Sequence, residues 1–270
     1  MYRMQHKIRP NRETQYFAFG IALHLLMEEY YKNDKNIELA LKALDKLEEK
    51  DYTVLVDTDD HRSLDRVKQV LNEYHERYIN EPINIFKYED EPIVEKSFSF
   101  PIVKIETAEA VWDVLYCGRI DGVIELSGKY FIFDHKTASA KPRGWLKKYE
   151  YPANQFIGYA VGASLAYDIR VSGAMVNLFH ILKTSTNFDR GIVMFTNEQI
   201  EEWVKKVQDI SEHMIKDIEA DEYAMYSTGC YGMYGACMFH AICSAEKKIR
   251  HIVMEDDYVV DEWKPLEIKN

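Results

Sequence analysis

At Ile83 the spacing of the apolar residues changes, and that change dictates what kind of fold the chain can build. Upstream, Thr14 to Lys32 sets Phe17, Ile21, Leu25 and Glu28 at helical spacing, with Asn33 and Asp34 as breakers. A second helix begins at Asn36 in IELALKALDKLEEK, and a third runs from Ser63 to Ile79. Downstream, INIFKYE, EKSFSFPI, VLYCGRIDGVIEL and KYFIFDHKT are rich in β-branched and aromatic residues with partial alternation, which suits strands. Ser127-Gly128 closes a hairpin between the last two. Ala153 to Tyr167 reads as a helix, SGAMVNLFHIL and RGIVMF as strands, and Asn197 as the cap of a helix reaching about Ala220. Helices and strands interleaved without a regular repeat predict an α/β fold with a central mixed sheet flanked by helices. With no low-complexity linker, one domain over 1–270 is expected, with a helical insertion at about 33–80 and a cysteine-containing region at about 221–250. Beyond Arg250, Glu255-Asp256-Asp257 marks either a mobile acidic end or a final docking strand.

A net charge of −11 over 270 residues argues against a protein that coats nucleic acid through a broad basic surface. It is compatible with a local acidic site for a hard cation. No apolar run approaches the roughly 18 residues needed to cross a bilayer. The start MYRMQHKIRP lacks the apolar centre of a secretory signal, so a cytoplasmic protein with no membrane partner is expected. Four cysteines in such a chain read as reduced thiols or metal ligands.

The chemistry concentrates between Asp121 and Lys136. On the strand reading, Asp121 and Asp134 face each other across the Ser-Gly turn, and Lys136 shares a face of the sheet with Asp134. Hydrolysis of a phosphodiester needs a divalent cation to neutralise the non-bridging oxygens and activate water, and two carboxylates suit Mg²⁺ or Mn²⁺. A neighbouring ammonium orients the water or stabilises developing charge. The plainer reading makes Asp121 a turn residue and Asp134 with Lys136 an exposed pair at a strand end.

The surrounding motifs favour the first reading. Gly20 and His24 in FGIALHLLMEE, Asp121 in GRIDG, Asp134 and Lys136 in DHK, and Gln155 and Tyr159 in QFIGY stand in that order. The arrangement resembles the PD-(D/E)xK nuclease superfamily, with its restriction-endonuclease-like core, and specifically the RecB-like/Cas4-like exonuclease branch that includes phage-encoded nucleases. The resemblance implies that His24, Asp121, Asp134 and the carbonyl of His135 bind the metal, and that Lys136 assists the attacking water. A histidine ligand tilts the site towards Mn²⁺. One reading leaves the His135 side chain facing solvent. Gln155 and Tyr159, four apart on one helical face, either contact DNA or steady Lys136, and Tyr159 suits core packing equally well. Lys141, Arg143, Lys147 and Lys148, with Trp145 and Tyr149 interleaved, read either as a nucleic-acid patch or as a solvated loop.

Cys230, Cys237 and Cys243 fall within fourteen residues. In many RecB-like nucleases three such cysteines and one near the N-terminus hold a [4Fe–4S] cluster, but no cysteine here precedes Cys117. Cys117 or His240 are the remaining candidates, the latter making a Cys₃His zinc site with the three cysteines. A region packed through Tyr231, Tyr234 and Phe239 without metal stays open beside them. The resemblance implies a metal-dependent deoxyribonuclease, an exonuclease acting on DNA ends or single strands in processing, recombination or repair. The alternative is a catalytically inactive nuclease fold that binds DNA or a helicase. No Walker-type G-x-x-x-x-G-K-[ST] is present, so any unwinding falls to a helicase or recombination partner.

Overall fold

The computed structural model of the chain describes residues 7–11, 15–56, 61–139, 143–223, 229–232, 235–262 and 264. The backbone divides into two compact units, Thr14–Asp209 and a smaller one that joins Met1–Glu13 to Ile210–Asn270. After β1 (Ile8–Pro10), which belongs to the smaller unit, come α1 (Gln15–Lys32), α2 (Ile37–Lys42), α3 (Glu49–Val56) and α4 (Leu64–Tyr78). The strands β2 (Asn84–Ile85), β3 (Lys87–Tyr88), β4 (Glu91–Pro92), β5 (Val94–Glu106), β6 (Val111–Leu126) and β7 (Lys129–Ala138) follow. Then come α5 (Asn154–Tyr167), β8 (Val171–Ile181), β9 (Thr186–Met194) and α6 (Asn197–Ala220), within which the division between the units falls.

The helix expected from Asn36 onwards is broken. Asn36 caps α2 by accepting from the Leu39 amide at 3.1 Å, but the chain passes through a 3₁₀ turn at Ala43–Lys46 before α3 starts. The break lets Ala40, Leu44 and Leu55 all reach the core around Leu23, Leu26, Met27 and Tyr30 of α1. A straight helix holds such residues along a single stripe. At α6 the cap is Thr196, where Asn197 was expected. Thr196 Oγ1 accepts from the Gln199 amide at 3.2 Å and Gln199 Oε1 accepts from the Thr196 amide at 3.0 Å, a reciprocal capping box. Asn197 Oδ1 instead accepts from Arg170 at 3.3 Å.

The central sheet runs β2-β6-β7-β8-β9, with β5 also paired to β6. Its mixed character comes from one parallel pair, β7 with β8, joined through α5; the β5–β6, β6–β7 and β8–β9 pairs are antiparallel. Ser127 and Gly128 both take left-handed backbone angles, φ 51° and 72°, as a tight hairpin requires. Alternation along the strands then builds two cores. Phe131 and Phe133 of β7, with Met175 and Phe179 of β8, join the cluster formed by α1 to α4. Ile132 of β7, with Ala174 and Val176 of β8, joins Phe156, Ile157 and Trp203 on the opposite face. This is the central mixed sheet flanked by helices that the sequence predicts.

Gly173 on β8 shows how close the strands run. A Cβ there falls 2.1 Å from the Val193 carbonyl oxygen of β9, a backbone atom with no rotamer to escape into. Gly173→Ala is expected to cost about 3 kcal/mol, the upper end for overpacking, seen as a lower urea midpoint at unchanged m. An unchanged midpoint contradicts the β8–β9 register.

In the smaller unit β1 pairs antiparallel with β12 (Tyr258–Val260), Ile8 opposite Val260. β10 (Tyr231–Gly232) and β11 (Gly235–Ala236) form a short hairpin, followed by α7 (His240–Ser244) and α8 (Arg250–Asp257). Ile8, Ile242 and Tyr258 make its core. The acidic Glu255-Asp256-Asp257 thus ends a helix, and the docking strand follows directly. Among the described residues, no helix is long and apolar enough to cross a membrane.

Candidate active site

The β6–β7 hairpin aligns Gly122 with Phe133, one step short of Asp121 and Asp134. The aspartates are tied through the backbone, since the His135 amide donates to Asp121 Oδ2 at 2.8 Å. Asp134 and Lys136, two apart on β7, share a face, and Lys136 Nζ lies 2.9 Å from Asp134 Oδ1 and 2.7 Å from Oδ2. Asp134 is fully buried. The N-terminal half of α1 lies against the end of β7, where a Cβ at Gly20 meets Thr137 Oγ1 at 3.8 Å, an ordinary contact. One turn on, His24 Nδ1 reaches within 3.4 Å of Asp121 Oδ2.

A further carboxylate completes the cluster. Glu95 Oε1 lies 3.6 Å from His24 Nδ1, and its Oε2 accepts from Arg119 Nε at 2.6 Å. Glu95 sits between the paired positions Val94↔Gly122 and Lys96↔Ile120, in a left-handed conformation with φ 50°. For a non-glycine residue this costs roughly 1–2 kcal/mol. The strain aims its carboxylate at the site. Sequence reasoning missed Glu95. The available signal was a lone acid between Val94 and Lys96 at the head of an aromatic strand, which gains meaning only from the β5–β6 register.

Burial pushes the Asp134 carboxyl up to about 7, with the Asp121 charge adding to it and Lys136 pulling back. Asp121 is also raised by burial, against the pull of His24. For His24 burial works in the opposite direction, yet Asp121 and Glu95 outweigh it and lift the imidazole to about 9. Lys136 is raised likewise, Asp134 and Asp121 overcoming desolvation. Three carboxylates are thus gathered in one largely buried place, each beside a cationic side chain: Asp121 by His24, Glu95 by Arg119 and Asp134 by Lys136. His24, Glu95 and Asp121 each offer a ligand atom within 4.8 Å of the others. Oxygen donors with one imidazole fit a divalent cation of the Mg²⁺ or Mn²⁺ kind.

On α5, Gln155 Nε2 donates to Tyr159 Oη at 3.2 Å. The Tyr159 ring fills the space beside Gly118, where a Cβ falls 2.9 Å from both Tyr159 and Phe98. The glycine of the GRID motif is therefore a packing requirement. Phe156, next to Gln155, places its ring centroid 5.7 Å from Lys136 Nζ. Arg143 is exposed, and Lys141 lies outside the described residues. Lys148 is lowered by burial and by Lys136, which puts it on the lysine side of the site. The His135 side chain points away from solvent: it is 4% exposed, on the face of β7 opposite Asp134. Alternation dictates this, since Phe133 and His135 share the face that packs against Tyr31 of α1.

Cys230 and Cys237 flank the β10–β11 hairpin, the Cys237 amide donating to the Cys230 carbonyl at 2.7 Å, and Cys243 sits on α7. Among the described residues these cysteines and His240 bring no three ligand atoms within 4.8 Å, and His240 Nε2 meets Tyr231 Oη at 3.0 Å. Cys117 stands on β6 in the larger unit, its thiol pushed up by burial.

The sequence profile of the PD-(D/E)XK nuclease superfamily matches residues 1–244. No curated protein matches the chain. Among solved structures, one titled "Crystal structure of SSO0001" matches at 11% identity over 84% of this chain and 84% of that chain, with a TM-score of 0.28.

Proposed function

Because the chain belongs to the PD-(D/E)XK nuclease superfamily, we propose that it is a divalent-metal-dependent deoxyribonuclease, an exonuclease acting on DNA ends or single strands in processing, recombination or repair. The observation that carries this reading is the convergence of His24, Asp121, Asp134 and Lys136, with Glu95, from four separate elements. His24, Glu95, Asp121 and Asp134 are the residues that would hold Mg²⁺ or Mn²⁺, with the His135 carbonyl as a further ligand by family resemblance. A cation held there would supply charge to neutralise the non-bridging oxygens of the scissile phosphate and would lower the pKa of the attacking water. Lys136 is held charged by Asp134 and Asp121, so it would orient that water and stabilise the negative charge developing on the phosphate oxygens. Gln155 steadies Tyr159 beside Lys136, and Tyr159, Arg143 and Lys141 are proposed contacts for the DNA strand. The complete set weighs against the catalytically inactive alternative.

The RecB-like/Cas4-like assignment rests on the order of the Gly20/His24, Asp121, Asp134/Lys136 and Gln155/Tyr159 motifs, and a phage origin and a helicase partner come with it as proposals. The [4Fe–4S] cluster is the least complete part. Cys230, Cys237 and Cys243 supply three thiols, and the fourth cysteine, Cys117, lies outside the smaller unit. No step depends on such a cluster, and visible absorption of anaerobically purified protein tests for it.

End-labelled linear DNA, single- and double-stranded, is incubated with Mg²⁺, Mn²⁺ or chelator beside circular single strands. Metal-dependent release of mononucleotides from linear DNA alone is expected. Cleavage of the circles removes the exonuclease assignment, and no cleavage of any substrate removes the nuclease one.

The raised Asp134 and His24 fix the pH dependence of metal binding. Both must lose their protons to act as ligands, Asp134 through about pH 7 and His24 through about pH 9. Mn²⁺ affinity should therefore climb as pH rises from 6 to 9, with proton release. Thermal shifts with Mn²⁺ at pH 6 and pH 8 check this, the larger rise in Tm being expected at pH 8.

A further inference from the structure

His135, Asn177 and Arg190 occupy one row across three strands, His135 opposite Asn177 in the β7–β8 pair and Asn177 opposite Arg190 in the β8–β9 pair. The row lies on the face of the sheet away from Asp134 and Lys136. Asn177 is fully buried and His135 nearly so. Buried polar side chains are costly unless every group is satisfied, and here the hydrogen bonds form a directed chain.

The direction follows from Arg190, whose guanidinium only donates. Its Nε lies 3.1 Å from Asn177 Oδ1, so the other end of the amide carries the NH₂ group. That group donates to Tyr74 Oη at 3.0 Å and to His135 Nδ1 at 3.1 Å. His135 Nδ1 is therefore an acceptor, and the imidazole carries its proton on Nε2. Tyr74 Oη also receives Arg190 Nη2 at 2.6 Å, so its own proton goes to Tyr31 Oη at 2.6 Å. Tyr31 in turn donates to Glu81 Oε1 at 3.2 Å, and Glu81 pairs with Arg190, which closes the circuit. The Tyr31 ring lies nearly parallel to the His135 imidazole, 5.8 Å between centroids at 13°.

The backbone of His135 is the hinge point of the site. Its amide holds Asp121, and the residues on either side are Asp134 and Lys136. A leucine or phenylalanine fills a buried strand position more cheaply, but it leaves rotation of this segment to packing alone.

We propose that His135 is a positioning residue, its imidazole pinned by the Asn177–Arg190 row so that the β7 backbone presents Asp134, Lys136 and its own carbonyl and amide in one fixed geometry. The proposal rests on the nuclease reading of the site. Outer groups that orient metal ligands typically matter 10- to 100-fold in affinity or activity, and a displacement of about 1 Å costs on the order of 100-fold in rate.

The test compares full-length parent, His135→Leu and His135→Asn. Asparagine keeps an acceptor near the place of Nδ1, and leucine removes it. Mn²⁺ binding is measured calorimetrically and cleavage kinetically, under conditions where urea curves show each protein folded. His135→Leu is expected to bind Mn²⁺ roughly 10- to 100-fold more weakly and to lose kcat at unchanged KM for DNA, and His135→Asn to recover most of both. If His135→Leu does not fold, Asn177→Asp serves in its place, since it still accepts from Arg190 but cannot donate to Nδ1. Parent-like Mn²⁺ affinity and kcat in the folded variant overturn the proposal while leaving the nuclease reading intact. A parent that binds no Mn²⁺ overturns both.

Discussion

On the proposed nuclease reading, Asp134→Ala and Lys136→Ala should each yield a folded protein whose cleavage of DNA falls by roughly 100-fold or more. Asp134 is fully buried with its carboxyl raised to about 7, so at pH 8 its charge is held against the preference of its surroundings. In linkage terms the folded state retains a proton that the unfolded state has lost between about pH 4 and pH 7, so stability falls with rising pH across that window. Removing the carboxylate relieves this cost, and the Tm of Asp134→Ala at pH 8 without metal should match or exceed that of the parent. Activity moves in the opposite direction. Losing a metal ligand and the partner of Lys136 removes several kcal/mol of transition-state stabilisation, on the order of a 1,000-fold loss or more. Lys136→Ala removes one preorganised cation and should cost roughly 100- to 1,000-fold. Single-turnover cleavage at saturating Mn²⁺ measures both, and full activity in either variant sinks the assigned mechanism.

Arg190→Met should produce the largest loss of stability of any single polar replacement in the larger unit. The guanidinium pairs with Glu81, donates to Asn177 and Tyr74, and lies over the Tyr78 ring with Cζ 3.9 Å from the centroid. Methionine fills the volume but leaves Glu81 with a weaker partner in Lys35, at 3.8 Å, and strips donors from Asn177 and Tyr74. Removing one member of a largely buried pair costs about 3–5 kcal/mol. In a unit of this size that is a Tm lower by on the order of 10 °C. The double variant Glu81→Gln/Arg190→Met should regain part of the loss, because the carboxylate that lost its main partner is then neutral. A single variant that melts with the parent shows that the pair contributes nothing.

Much of this site was legible in the sequence because its central part is local. Asp121, Asp134 and Lys136 belong to one hairpin, whose turn Ser127-Gly128 announces itself and whose alternation fixes which side chains share a face. His24 lies far off in the chain and was reached only through motif order, since nothing in its leucine-rich surroundings marks it as a ligand. Glu95 was invisible for a different reason: its position depends on strand register and on a left-handed backbone, and neither leaves a trace in composition. His135 was obscured by the habit of placing histidine at the surface, although the same alternation that grouped Asp134 with Lys136 sends it inward. The break between α2 and α3 and the shift of the α6 cap to Thr196 were decided by core packing and by a competing hydrogen bond from Arg170. Those are tertiary facts.

The candidate metal-binding residues come from α1, β5, β6 and β7, and the row beneath them is completed only at Arg190 on β9. A ribosome therefore releases most of the larger unit before the last supporting residue exists. Until β9 docks, the row that pins His135 lacks Arg190, and a half-made chain carries the acids and the lysine without that support. For a member of a nuclease superfamily, this order of assembly holds the site back until the chain is nearly finished. Cutting power arrives with the finished sheet.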